Sequence, residues 1–382
     1  MMFQFTEEQL SVQELVHDFA QKEVLPLAEE NDKLGLPNKE IIAALGEMGI
    51  LSLNIPEEYG GSGLDEISKV LAIYEMGRTC AGTAEVVSTQ MLVNDIVLMN
   101  ANEEQKAEFL PRVAEGKIGA FALTEPGAGS DAGSIRTKAV RDGSDFIING
   151  TKCFISNMGK DEGDFVVLIT VTDPQKGTHG GMTAFLIDRN TPGFTVGKLE
   201  DKLGIRAASV SELIFQDCRV PESCVLGSVG DGFRIAMSGL DGGRIGVASL
   251  SLGIAQHAFD SAVKYSKERS QFGRPISKNQ GIQWYIADMA TRLEAAKLLT
   301  YNAAYARMNN SKDVVIAASM AKYFASEAAN YIADKALQIH GGYGFIKDFD
   351  VERIYRDARI LKIFEGTSEI QKIVISREVL KK

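Results

Sequence analysis

The chain has 382 residues, which at about 150 per domain is worth two to three domains with a large core, and excludes a peptide, a disulfide-stapled module or a single small binding domain. Its 41 lysines and arginines stand against 51 aspartates and glutamates, a net charge of −10 that argues against a sequence-independent grip on nucleic acid or an anionic membrane. An anionic ligand must then be met by a local basic patch. Four cysteines, Cys80, Cys153, Cys218 and Cys224, show no paired spacing and are too sparse for a disulfide framework, and a structural zinc site is not expected. The apolar run from Phe165 to Ile169 is far short of the ~18 residues of a membrane span. The acidic start of the chain predicts no signal or transit peptide, so the expected compartment is cytoplasmic.

Thr6 and Gln9 have capping-box spacing, and Val12, Leu15, Val16 and Phe19 follow at helical intervals, which predicts an amphipathic N-terminal helix. Helical pattern continues to about Pro111, broken by a turn-rich stretch at Pro56 to Gly63. From Ala120 the period changes. Phe146-Ile147-Ile148, Asn149-Gly150 and Thr151 to Ile155 read as strand, tight turn and strand, and Asp164 to Val171, Met182 to Ile187 and Ser211 to Phe215 add three β-rich runs. These predict an antiparallel barrel or sandwich of roughly 100 residues. Beyond Gly230 only Pro275 remains of the nine prolines, so the rest reads as long helices, one carrying Ile282, Ile286, Met289, Leu293 and Ala296 on one stripe and the next, about Lys312 to Ile339, rich in alanine. The expected layout is α+β: a helical domain at 1–118, a β domain at 119–226 and a helical bundle at 227–382.

Gly127-Ala128-Gly129-Ser130-Asp131-Ala132 matches the dinucleotide fingerprint, but that fingerprint needs a long helix and a parallel strand next, and the sequence offers Gly133 and a β pattern instead. The loop is then either a turn into the β domain or a set of backbone N–H groups facing a phosphate or a ring edge. Glu365, between Phe364 and Gly366, stands before Ser368 and Gln371, whose spacing reads as a capping box for the last helix. A carboxyl on a turn facing a cleft could also be desolvated into a general base. His340-Gly341-Gly342 reads as a glycine cap or as backbone able to approach a planar ligand, and Arg269, Phe272, Arg274 and Lys278 as a solvated helix end or an anion site. The four histidines are too scattered for a metal site, and Trp284 is expected to pack.

With the Leu123-Thr124-Glu125-Pro126-Gly127-Ala128-Gly129-Ser130 loop and the Phe364-Glu365-Gly366-Thr367-Ser368-Glu369 turn in this order and spacing, the chain resembles the acyl-CoA dehydrogenase family along its whole length. The resemblance implies an N-terminal helical domain, a middle β domain, a C-terminal four-helix bundle and FAD. It implies flavin contacts from Phe121, Leu123, Thr124, Gly129 and Ser130, from Phe154, Ile155 and Ser156, and from Thr367, Ser368 and Glu369. Many members have tryptophan where Phe154 stands. Arg269, Phe272, Gln280, Gln338, Ile339, Gly341 and Gly342 resemble residues that reach the FAD of a neighbouring subunit, which implies at least a dimer and usually a homotetramer. Ser130, Asp241, Gly242, Gly243, Arg244 and Gly366 resemble substrate contacts. Glu365 resembles the catalytic base; one branch of the family carries its base just before the helix arginine, where this chain has Gly243.

The stretches around Leu240 to Ala248 and Thr178 to Phe185 most resemble the short-chain, butyryl-CoA-type bacterial branch, some of whose members reduce enoyl-CoA thioesters with an electron-transfer flavoprotein as partner. The rival expectations are a flavin oxidase or monooxygenase on the same scaffold, and a CoA-binding scaffold without catalysis.

Overall fold

The computed structural model describes residues 4–381. Helix α1 (Glu7–Phe19) opens on the expected capping box, Thr6 Oγ1 accepting from the Gln9 N–H at 3.2 Å and Gln9 Oε1 from the Thr6 N–H at 2.9 Å. Helices α2 (Ala28–Leu34), α3 (Lys39–Glu47), α4 (Glu66–Gly77), α5 (Ala81–Asn100) and α6 (Glu103–Ala114) follow. Nearly every residue of α4, and all of α5 up to Val97, is buried. Polar side chains on these two helices must therefore find partners inside the protein or in a ligand.

Strands β1 (Gly119–Ala122), β2 (Lys138–Asp142), β3 (Asp145–Ser156), β4 (Phe165–Val171), β5 (Met182–Asp188), β6 (Phe194–Leu199), β7 (Val210–Pro221) and β8 (Val225–Leu226) form one sheet, with a single turn, α7 (Thr178–Gly181), between β4 and β5. The order is β6-β7-β3-β2-β4-β5-β8, with β1 also beside β4. Most pairings are antiparallel, but β1 and β2 both meet β4 in parallel. The continuous apolar run in β4 has a simple cause: Val166 and Leu168 face the sheet's own core, while Phe165, Val167 and Ile169 face the helices.

Asn149-Gly150 is not the expected turn. β3 runs straight through it, and Gly150, at φ 153°, makes a register shift against β7 where Thr137 comes too close for a side chain. The hairpin turn lies earlier, at Gly143-Ser144, with Asp142 paired to Asp145 and Gly143 at φ 65°.

Helix α8 (Gly232–Glu268), the two-residue strands β9 (Ser270–Gln271) and β10 (Arg274–Pro275), then α9 (Gln280–Met308), α10 (Val314–His340), α11 (Val351–Ile360) and α12 (Ser368–Leu380) complete the chain. Alanines 317, 318, 321, 325, 328, 329, 333 and 336 are buried along α10, so neighbouring helices approach it closely. Met289, Leu293 and Ala296 are buried as the stripe predicts, but Trp284 is 63 % exposed rather than packed. α10 ends on Gly341 at φ 61°. Among the described residues no helix is long and apolar enough to cross a membrane and no His, Cys, Asp and Glu cluster could hold a metal.

Candidate active site

Glu365 lies on the turn between α11 and α12, with φ 49° followed by φ 91° at Gly366. A left-handed backbone at a glutamate is uncommon, and the surroundings hold it there. Lys322 Nζ, on α10 and fully buried, donates to the Gly366 carbonyl at 2.6 Å. Gln371 Nε2 donates to the carbonyls of Glu365 (3.1 Å) and Gly366 (3.0 Å). The cap of α12 is Thr367, not Ser368: Thr367 Oγ1 accepts from the Ile370 N–H at 3.3 Å, while the Ser368 hydroxyl donates to Glu327 at 2.9 Å.

The Glu365 carboxyl rests on Gly243 of α8. A Cβ added at Gly243 would lie 2.9 Å from the Glu365 carboxyl carbon and nearer still to Oε2. Oε2 is shut off from solvent and has no hydrogen-bond partner among the described residues. Burial pushes this carboxyl up to about 7, against the pull of Lys322 and Arg244. Arg244 is itself buried; its NH1 donates to Asp241 Oδ1 at 2.7 Å while its Nε has no partner. An orphan acceptor and an orphan donor in electrostatic contact mark a place made for a polar ligand. No described group accepts the backbone N–H of Glu365 either.

Gly242 makes room for Arg307, whose Cζ would be 2.6 Å from a Cβ there. Arg307 NH2 and Lys69 Nζ donate to Asp95 at 2.8 and 2.7 Å, and Lys69 also reaches Glu66 at 2.9 Å. Glu66, Lys69 and Asp95 of this network line a cavity of about 10 Å³ between α4, α5 and α8, together with Ser88, Gly242 and Gly246, about the size of one water.

A second group of predicted residues sits on β1, its following loop and β3. Glu125 of the loop accepts from Lys152 Nζ (2.8 Å) and from the N–H groups of Arg136 (2.6 Å) and Thr137 (2.9 Å), and Lys152 also donates to the Leu123 carbonyl at 2.9 Å. With Cys153 N–H donating to the Thr124 carbonyl at 3.0 Å, the loop is pinned beside Phe154, Ile155 and Ser156. Phe121 and Thr124 are half-buried, Leu123 and Ile155 buried, and Gly129, Ser130 and Phe154 exposed. Phe154 has φ 58° and is 65 % exposed.

A third group lies apart. Arg269, Phe272, Gln280, Gln338, Gly341 and Gly342 are exposed and Ile339 is buried, with no hydrogen bond from any of them to the first two groups among the described residues. Phe272 is wholly exposed at φ 52°, and the Arg269 guanidinium lies over Tyr343 at 5.5 Å.

Comparison with known proteins decides the family. The chain matches the acyl-CoA dehydrogenase N-terminal domain over residues 6–117, the middle domain over 120–218 and the C-terminal domain over 230–380. It is 46 % identical to the acryloyl-CoA reductase (NADH) of Anaerotignum propionicum, over 100 % of this chain and 97 % of that one. The chain belongs to the acyl-CoA dehydrogenase family. Butyryl-CoA dehydrogenase from Megasphaera elsdenii superposes with a TM-score of 0.96 at 43 % identity, over 100 % of both chains. A chain in the structure described as the electron transferring flavoprotein of Acidaminococcus fermentans superposes with 0.97 at 45 %, again over 100 % of both.

Family membership makes the chain an oxidoreductase and implies a flavin. The residues present fit one. Gly127, Gly129 and Gly342 have no neighbour within 4 Å of an added Cβ and no left-handed φ, so nothing within the chain requires glycine there. Such bare backbone suits a large group lying against it. Phe154, Phe272 and Glu365 are three of the seven non-glycine residues with positive φ among those described.

Lys322, Arg307 and Glu85 belong to the site and escape a reading of motifs. The signal for Lys322 is its position on the buried alanine face of α10, with Ala318, Ala321 and Ala325. Glu85 stands on the buried stretch of α5.

Proposed function

We propose that this protein carries FAD and interconverts a short-chain acyl-CoA and its trans-2-enoyl-CoA, with Glu365 as the base that takes the α-proton. The observation that carries this reading is the Glu365 carboxyl, enclosed over Gly243 with Oε2 unpartnered and drawn up to about 7. A general base of that strength titrates near working pH. An α-proton of a thioester is still a far weaker acid than any carboxylic acid, so the site must also stabilise negative charge on the thioester oxygen. The unaccepted backbone N–H of Glu365 is a donor available for that, and it is carried by the same residue as the base. Arg244 beside Asp241 supplies positive potential, and Lys322 holds the turn so that the base and the N–H keep their relative position.

When bound, FAD supplies the acceptor for the β-hydride. The residues that would hold it are Phe121, Leu123, Thr124, Gly129, Ser130, Phe154, Ile155 and Ser156 from the β domain and Thr367, Ser368 and Glu369 from the start of α12, with Ser130, Asp241, Gly242, Gly243, Arg244 and Gly366 toward the thioester. The exposed third group, with Phe272 and Arg269, is suited to reach the FAD of a second copy, and the resemblance to the family adds that the working form is a homotetramer built from dimers. The named relatives support both directions of the reaction and an electron-transfer flavoprotein as redox partner. The proposal also places the protein in the cytoplasm, with domains at 1–118, 119–226 and 227–382.

Anaerobic titration with a panel of acyl-CoA and enoyl-CoA thioesters, followed by flavin absorbance, tests the reading. Bleaching by a saturated short-chain thioester and its reversal by the enoyl product are expected; a colourless protein, or a flavin untouched by every thioester, would overturn it.

A further inference from the structure

One buried carboxyl at the site is not used by this chemistry. Glu85 of α5 is 5 % exposed, and its hydrogen bonds are on Oε1 alone: the Thr89 hydroxyl at 3.2 Å and the Ser156 hydroxyl at 3.3 Å. Both are long, and no lysine, arginine or histidine among the described residues forms an ion pair with it. Among the described residues its Oε2 has no hydrogen bond.

Its place in the fold puts it between the two halves of the site. Ser88, one turn further along α5, lies against Gly246, where an added Cβ would be 2.6 Å from its Oγ. Gly246 is one turn along α8 from Gly243, on which Glu365 rests, so Glu85 and Glu365 approach the same α5–α8 seam. On the other side Ser156 ties Glu85 to the end of β3, beside Phe154 and Ile155. Burial and the charge of Glu365 push Glu85 up to about 8.

A second carboxyl so placed resists ionising beside the first. Glu365 must be ionised to accept a proton, and the Glu85 carboxyl, drawn up to about 8, stays largely protonated beside it and ionises only where something positive meets it. Lys202 acts on Glu85 only from a distance. The nearer groups are hydroxyls that Oε1 already uses, which leaves Oε2 open to a donor carried by a ligand. We propose that Glu85 is a specificity-determining residue whose free oxygen receives a hydrogen-bond donor, a hydroxyl or an ammonium, carried on the far end of the substrate's acyl chain. The inference rests on the proposed acyl-CoA reaction at Glu365 and adds the chemistry of the acyl tail to it.

Buried polar groups left unpaired are what make such a site selective. A pocket that hydrogen-bonds a substrate hydroxyl or amine rejects the analogue lacking it far more strongly than a greasy pocket tells apart one methylene. The test uses the FAD-loaded protein and its Glu85→Val and Glu85→Gln variants, with kcat/KM read from flavin bleaching. The probes are γ-hydroxybutyryl-CoA against valeryl-CoA and δ-aminovaleryl-CoA against hexanoyl-CoA, each pair matched in length.

The wild type is expected to favour at least one donor-bearing thioester by roughly 100-fold over its hydrocarbon partner. Glu85→Val should reverse that order, and Glu85→Gln should keep a hydroxyl preference but lose an ammonium one. Equal use of donor and hydrocarbon tails by the wild type, or a preference unmoved in Glu85→Val, would overturn the inference and leave the acyl-CoA reading standing. Bleaching by none of the four thioesters, nor by butyryl-CoA, would overturn both.

Discussion

The carboxyl of Glu365 occupies the space that a side chain at Gly243 would fill, its carboxyl carbon 2.9 Å from where that Cβ would stand. A base carried by the α11–α12 turn and a side chain at the residue before Arg244 are thus mutually exclusive. Gly243→Ala should be tolerated by α8, because alanine suits a helix interior better than glycine by about 1 kcal/mol. It should nevertheless push the carboxyl aside and lower the rate of flavin bleaching by roughly 100-fold, as an ångström-scale misplacement does. Thermal denaturation beside anaerobic stopped-flow kinetics checks both halves.

The pH dependence follows from the enclosed carboxyl. Glu365 must be ionised to act, so kcat/KM for the saturated thioester should rise with pH and level off above about 7. Its effect on stability has the opposite slope. The folded value of about 7 lies above the ordinary 4.5, so the stabilising contribution of the bound proton is fully present below 4.5 and is lost as pH rises through 7. The difference is worth roughly 3 kcal/mol at about 1.4 kcal/mol per tenfold change in proton affinity. Glu365→Gln should therefore gain stability over the wild type above pH ~7 and match it at pH ~4, which denaturant titration at the two values measures.

Lys322 donates to the Gly366 carbonyl at 2.6 Å, and its charge draws Glu365 down. Lys322→Met removes the charge and keeps the buried volume. The alkaline plateau of kcat/KM should move to higher pH, with a loss of roughly fivefold or more at pH 7 that is recovered near pH 9. A pH profile reads this directly, since a purely structural loss would lower the whole curve without moving it.

The Glu125–Lys152 pair holds the glycine loop to β3 from inside the protein, with Lys152 fully buried. Lys152→Met leaves a buried carboxylate uncompensated and should cost about 3–5 kcal/mol, whereas Glu125→Gln with Lys152→Met together should recover much of it. FAD affinity should fall in the single variant in step with stability, measurable by flavin release on dilution.

Much of this architecture is legible in the sequence where local pattern and tertiary structure agree. The Thr6–Gln9 box, the scarcity of proline after Gly230 and the alanine spacing of α10 each act through the backbone nearby, and each is realised in the fold. Asn149-Gly150 misleads because its turn propensity is overridden by pairing with β7, and the glycine serves the close approach of Thr137 instead. The cap of α12 moves one residue because Ser368 is claimed by Glu327, a partner 41 positions away. Lys322 and Glu85 are invisible for the same reason. A lysine or glutamate on a helix is normally solvated, and only the packing of α5, α8 and α10 around the Glu365 turn gives these two their neighbours.

The account stands on Glu365 as the base, and anaerobic mixing of butyryl-CoA with FAD-loaded Glu365→Gln tests it most directly. The variant should remain yellow and bind the thioester, seen as a shift of the flavin spectrum, while bleaching slows by a factor of about 10⁴, the upper end of what a positioned base contributes. Bleaching at the wild-type rate would contradict the assignment and the mechanism built on it.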